Sequence, residues 1–127
     1  MKELLNKIIY RSQETNLVMN LPKELELLDY MFVGKVDNKV EDEIYEFGLV
    51  FETKLNEIEA TLRAVASHLN VDSVFWLAYP SRGSKHKGNV NPKLLHELAL
   101  SLGFEQYTNI SMNENWDAMR FVKTKQK

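Results

Sequence analysis

Two stretches of this chain are apolar throughout, Phe47-Gly48-Leu49-Val50-Phe51 and Val74-Phe75-Trp76-Leu77-Ala78-Tyr79, and a helical pattern separates them. A strand with no polar positions has to be covered on both faces, which is the situation of a parallel sheet between helices. Between the two stretches, Leu55, Ile58, Leu62, Val65, Ala66 and Leu69 follow the i, i+3, i+4 spacing of an amphipathic helix. Thr53 stands where a helix cap is expected, and Asn70 and Asp72 mark the exit turn. Strand, helix and strand in this order make a crossover unit, and such crossovers are almost always right-handed. Pro80 stops the second strand, since it has no N–H to give to a ladder.

The flanking sequence extends the same plan. Leu4, Leu5, Ile8 and Ile9 predict a short helix over Lys2 to Tyr10, and the polar residues Arg11 to Asn16 break it. Leu17-Val18-Met19 reads as a buried strand. Pro22 suits the first turn of a helix carrying Leu25, Leu27 and Leu28. Tyr30 to Val36, rich in β-branched and aromatic residues, reads as a second strand. Asn91-Pro92 is a helix start, with Leu94, Leu95, Leu98, Ala99 and Leu102 on one face and Gly103 as the stop. Tyr107 to Met112 and Ala118 to Val122 flank Asn113-Glu114-Asn115 as an antiparallel hairpin, and the polar tail from Lys123 to Lys127 is expected to fray. The expected fold is therefore an α/β, Rossmann-like three-layer sandwich. Its sheet has about six strands, mostly parallel, closed by the C-terminal hairpin. With 127 residues and no linker or repeat, a single domain over 1–127 is expected.

Composition removes several function classes. No cysteine is present, so disulfides, thiolate metal sites and cysteine nucleophiles are excluded. No apolar run reaches the ~20 residues of a membrane span, and the N-terminus is too polar for a signal-peptide core. A cytoplasmic location is expected, with no membrane contact. The net charge of −2 hides an asymmetry, because residues 1–79 sum to −6 and residues 80–127 to +4. Glu41-Asp42-Glu43, with Glu46 behind them, read as a solvated connection.

The early Leu17-Val18-Met19-Asn20-Leu21-Pro22, the strand Phe75-Trp76-Leu77-Ala78-Tyr79-Pro80, the helix end Leu98 to Phe104 and the late Asn115-Trp116-Asp117-Ala118-Met119-Arg120-Phe121-Val122 form a set. Over about residues 16 to 123 the chain resembles a family of short uncharacterised bacterial proteins. That family is itself similar to a shortened class I S-adenosylmethionine-dependent methyltransferase. The resemblance implies a fold rather than an activity. A cofactor site on this plan needs glycines after the first strand, so that backbone can approach the ligand. Here Asn20-Leu21-Pro22-Lys23-Glu24 follows, with no glycine, and Pro22 removes an N–H. Asp37, near the end of the second strand, is the weak candidate for a ribose-binding acid; beside Asn38 it also reads as a turn residue. No cofactor is expected, S-adenosylmethionine included.

The loop Ser81-Arg82-Gly83-Ser84-Lys85-His86-Lys87-Gly88-Asn89 is the sharpest local feature. It holds three fixed positive charges, a histidine and no acid, after a central strand and before a helix start, where ligands of open α/β sheets bind. Arg82, Ser84, Lys85, His86, Lys87 and Asn91 are accordingly the candidate anion-binding residues. Ordinary loop chemistry would make the same residues an exposed, mobile connection. It is not a phosphate-binding Walker loop, because Asn89 follows Gly88. Trp116 and Arg120 are the candidate pocket or partner-surface pair. His68, His86 and His96 share no metal-ligand spacing, so no metal is expected, and no serine has an evident activating partner. These features read best as a non-enzymatic binding or interaction module taking a small anionic ligand or a protein partner, as monomer or homodimer. The alternatives are a divergent methyltransferase using Asp37 and the loop after Met19, and a nucleic-acid-binding domain built on the basic loop, which pI ≈ 5.9 opposes.

Overall fold

The computed structural model describes residues 2–124 and contains one six-stranded sheet in the order β2-β1-β3-β4-β6-β5. The strands are β1 (Thr15–Met19), β2 (Lys35–Asp37), β3 (Phe47–Phe51), β4 (Val74–Pro80), β5 (Phe104–Ser111) and β6 (Trp116–Lys123). The helices are α1 (Lys2–Lys7), α2 (Leu55–Val65) and α3 (Pro92–Ser101), with a 3-10 segment at Lys23–Tyr30 and a 3-10 turn extending α2 over Ala66–His68. β1 to β4 are parallel, and β6 inserts antiparallel between β4 and β5. The fold is Rossmann-like, as the βαβ pattern requires.

Each face of the sheet carries its own core. Phe47, Leu49, Trp76, Ala78 and Trp116 pack under α1 and the 23–30 segment. Val50, Phe75, Leu77, Met119 and Phe121 pack under α2 and α3. The alternation along β3 and β4 is the period-two pleat acting on strands with no polar position to spare.

Several expectations are corrected. The helix expected to reach Tyr10 stops at Lys7, because Ile9 takes a left-handed φ of 57°. Ile9 N then bonds to Asn6 O and Tyr10 N to Leu5 O, which closes the helix end without a glycine. The second strand is not Tyr30 to Val36 but only Lys35–Asp37. Its would-be first half is tied down by side chains instead. Val33 N donates to the Tyr10 hydroxyl at 2.6 Å, and buried Asn16 donates through Nδ2 to the carbonyls of Gln13, Val33 and Lys35. Thr53 does not cap α2. Leu55 N instead donates to Asn89 Oδ1, at 2.8 Å, from the 81–91 loop. Lys123 is not frayed either, since it ends β6 and its Nζ donates to Leu69 O at 3.2 Å; residues 125–127 of the expected tail lie outside the described residues. No helix among the described residues is long and apolar enough to cross a membrane.

Candidate functional site

β4 delivers the chain to the carboxyl-end edge of the sheet, where Pro80 ends it and the 81–91 loop begins. Three separate parts of the fold hold this loop. Asn115, in the β5–β6 turn, accepts from Ser81 N through its backbone oxygen at 2.9 Å and from Lys85 N through Oδ1 at 3.0 Å. At the start of α2, Thr53 O accepts from Asn89 N at 3.1 Å while Asn89 Oδ1 caps Leu55. Glu24, in the 23–30 segment, accepts from Asn115 Nδ2 at 2.9 Å and is bonded to His86 Nε2. The His86 ring in turn lies 4.8 Å from the Trp116 ring. Burial alone would raise the Glu24 carboxyl, but the bonds from His86 and Asn115, with the charges of His86 and Lys85, hold it below its ordinary value.

The loop walls a cleft of about 800 Å³ between the end of β4 and the start of α3. Arg82, Ser84, His86, Lys87 and Asn91 all line it, and Lys85 does not. Lys85 turns to Glu24 instead, 4.0 Å away. Arg82 and Lys87 make no ion pair among the described residues. Asn91 caps α3 by accepting from Leu94 N at 2.9 Å, so the positive end of a ten-residue helix opens on the same cleft. Asp117 of β6 and Tyr79 of β4, directly opposed in the sheet register, complete the wall. Burial pushes both groups up from their ordinary pKa values.

The arrangement does not build a nucleophile. Ser84 Oγ accepts from the backbone N of His86 at 3.0 Å rather than facing its ring, and the ring is engaged by Glu24. No group of three or more His, Asp or Glu side chains among the described residues is placed to hold a metal ion.

A second cleft, of about 810 Å³, opens at the carboxyl ends of β1 and β2, and Asp37 lines it with Glu26, Asp29 and Glu41. Asp37 Oδ2 accepts from the Tyr45 hydroxyl at 2.6 Å. Between β1 and β3, where the strand order reverses and open sheets bind ligands, Asn20 ties the turn after β1 to the end of β3 and also lines this second cleft. Asn20, at φ 58°, donates through Nδ2 to Phe51 O at 3.0 Å and to Glu52 Oε1 at 3.3 Å. Thr61 of α2 donates to the other Glu52 oxygen.

Burial pushes the Glu52 carboxyl up, the Thr61 bond opposes this, and Glu57 adds to the rise. A carboxyl raised on folding contributes stability that is complete below its unfolded pKa and lost as pH rises through the folded one. Glu52→Gln should therefore raise the melting temperature relative to wild type at about pH 8 and not at about pH 4. The introduced amide can still accept from Asn20 through its oxygen, while the Thr61 hydroxyl turns to accept from its nitrogen. An equal shift at both pH values would reject this account of Glu52.

The sequence of residues 33–125, from the approach to β2 through the whole cleft, matches a family model described as "Protein of unknown function (DUF3052)". The chain belongs to that family. Comparison with curated protein sequences gives no match. Among solved structures, the CcbJ methyltransferase from Streptomyces caelestis superposes with a TM-score of 0.68 at 7% identity, covering 98% of this chain and 89% of that one. A TehB-like SAM-dependent methyltransferase from Corynebacterium glutamicum gives 0.58 at 12% identity, covering 96% and 86%. The mitomycin 7-O-methyltransferase MmcR gives 0.56 at 8% identity; 97% of this chain is covered but only 53% of that one, so this chain spans about half its length. At such identities the likeness establishes the fold alone. This DUF3052 chain has a methyltransferase-like, Rossmann-like architecture.

Trp116 and Arg120 do not form one pocket. Trp116 is buried against Phe51, ring centroids 5.1 Å apart, while the Arg120 guanidinium lies 4.6 Å over the Tyr107 ring. Four residues along one strand separate them by about 13 Å. Sequence reasoning missed Glu24, Asn115, Asp117 and Glu52. Only Asn115 carried a local signal, as part of the polar hairpin turn, and that signal speaks of the turn rather than of the loop it holds.

Proposed function

We propose that this DUF3052 domain is a non-enzymatic binding module that takes a small anion in the cleft between Arg82, Lys87 and the start of α3. One observation carries this reading. The loop is fastened by Asn115, by the start of α2 and, through His86, by Glu24, while Arg82 and Lys87 on the cleft wall have no acidic partner among the described residues. Side chains that served only solubility would not need their loop held from three directions. Arginine can grip a phosphate or carboxylate with two parallel bonds, and the capped helix start adds a favourable field of about 0.3–1 kcal/mol. Two cations without an acidic partner among the described residues suit a small anion better than a polyanion, in keeping with pI ≈ 5.9.

The methyltransferase-like fold brings S-adenosylmethionine into question, and the residues present do not fit it. The turn after β1 has no glycine, and the Asn20 side chain bridges the crevice to Phe51 and Glu52. Asp37, the candidate for the cofactor's ribose, already accepts from the Tyr45 hydroxyl through Oδ2. We therefore assign no cofactor and no methyl transfer.

Calorimetric titration tests both halves. Inorganic phosphate should bind the wild-type chain, and the double variant Arg82→Ala, Lys87→Ala should lose tenfold or more in affinity while melting near the wild-type temperature, because a bond to a charged group contributes about 1.5–3 kcal/mol. Binding that survives the double variant removes the anion from this cleft. Saturable binding of S-adenosylmethionine would restore the enzyme reading.

A further inference from the structure

Asp117 is the only carboxylate lining the β4–α3 cleft among the described residues. Elsewhere in the fold, acids near cations or hydroxyls are engaged. Lys35 pairs with Glu43 at 2.7 Å, the Tyr45 hydroxyl binds Asp37, and Glu24 collects His86 and Asn115. The Asp117 side chain makes no hydrogen bond or ion pair among the described residues, although Arg82 and Lys87 share its cleft. Its backbone is fixed in the middle of a sheet, opposite Tyr79 on one side and Ser111 on the other, so it cannot approach the loop without breaking ladder bonds. The cleft thus holds two cations and one anion apart from each other.

Several other polar groups of the cleft already have partners. The Tyr79 hydroxyl donates to Asn109 Oδ1 at 3.2 Å, Ser81 Oγ to Glu114 O at 2.8 Å, and Asn91 Oδ1 is spent on its helix cap. A ligand entering here meets the cations Arg82 and Lys87 and, on the sheet side, a partly buried carboxylate that has no partner among the described residues. A ligand with only negative charge would gain at the first and lose at the second.

We propose that the ligand of this cleft is a small zwitterion, with a phosphate or carboxylate at Arg82 and Lys87 and a primary ammonium at Asp117. The inference rests on the anion-binding reading above and adds the second charge. Burial raises the Asp117 carboxyl, the condition that an incoming ammonium would relieve.

The test is calorimetry on the full chain near neutral pH with four probes: inorganic phosphate, phosphoethanolamine, acetate and β-alanine. Each pair compares an anion with the same kind of anion carrying an ammonium. Phosphoethanolamine should bind at least tenfold more tightly than phosphate if the anionic head is a phosphate; β-alanine should show the same advantage over acetate if it is a carboxylate. In Asp117→Asn the advantage should shrink to less than about threefold while the plain anion binds as well as before or better. Asp117→Ser gives the same readout should the Asn variant melt early. Equal affinity within both probe pairs in wild type, or an ammonium advantage that persists in both Asp117 variants, overturns the proposal and leaves the anion site standing. Failure of all four probes to bind wild type overturns the anion reading, and this proposal with it.

Discussion

Trp76→Ala is expected to destabilise the domain by about 3–5 kcal/mol, the range for removing a large aromatic side chain from a packed core. Trp76 sits in the middle of β4 on the α1 side of the sheet and is completely buried. Its indole does two things. It fills the space between the central strands and the N-terminal helix, and its Nε1 donates to Ile8 O at 2.7 Å. That carbonyl is available because Ile9 ends the helix in the left-handed region. With native stabilities of about 5–15 kcal/mol, such a loss should lower the melting temperature by well over 10 °C for a domain of this size. Trp76→Phe separates the two contributions. It keeps most of the apolar contact but leaves a buried carbonyl unpaired, at about 1–3 kcal/mol. In that variant tryptic cleavage after Lys7 and Arg11 should accelerate relative to cleavage elsewhere. If the Phe variant is cut at the wild-type rate, α1 is held by apolar packing and the indole bond contributes little.

What was legible in the sequence follows from how local each signal is. β3, β4, α2 and the Asn91-Pro92 start of α3 are each written in consecutive or helix-spaced residues, and the structure places them at or within a few residues of those positions. β2 was misread because Tyr30 to Val36 has strand composition, yet the competing partners for its backbone are Tyr10 and Asn16, which no local pattern connects to it. The α2 cap was misread for the same reason: Asn89 lies 34 residues away from Leu55. At the candidate site the loop's own chemistry was visible, but what holds it was not. Glu24 reaches His86 across 62 residues and Asn115 across 91. Asp117, just before the strand expected over Ala118 to Val122, carries no local signal of the cleft until the sheet register sets it against Tyr79. The absent glycines after β1 were the one long-range inference available, because they concern what backbone can approach rather than what it contacts.

Gly88→Ala is the second substitution with a large expected effect, and it bears directly on the binding cleft. A Cβ at this position would fall 2.1 Å from Thr53 O and 3.0 Å from Thr53 C, both backbone atoms that cannot swing aside. The requirement is one of space, since Gly88 is not among the residues with positive φ. The loop would have to lift away from the start of α2. With it would go the bond from Asn89 N to Thr53 O and the cap that Asn89 Oδ1 provides to Leu55. Overpacking of about 1–3 kcal/mol and loss of a cap at about 1 kcal/mol together give about 2–4 kcal/mol. Lys87 would move with the loop, so phosphate affinity should also fall by tenfold or more. Gly83→Ala is the matched comparison. Gly83 has φ 83° and nothing within 4 Å of the added Cβ, so that variant carries only the left-handed strain of about 1–2 kcal/mol. It leaves the Thr53 and Asn115 anchors in place, and its phosphate affinity should stay within a few-fold of wild type. Chemical denaturation and phosphate titration of the two variants side by side distinguish a loop whose anchoring positions its cations from one that only carries them. If Gly88→Ala loses stability while phosphate binds unchanged, the anchors serve the fold and not the cleft.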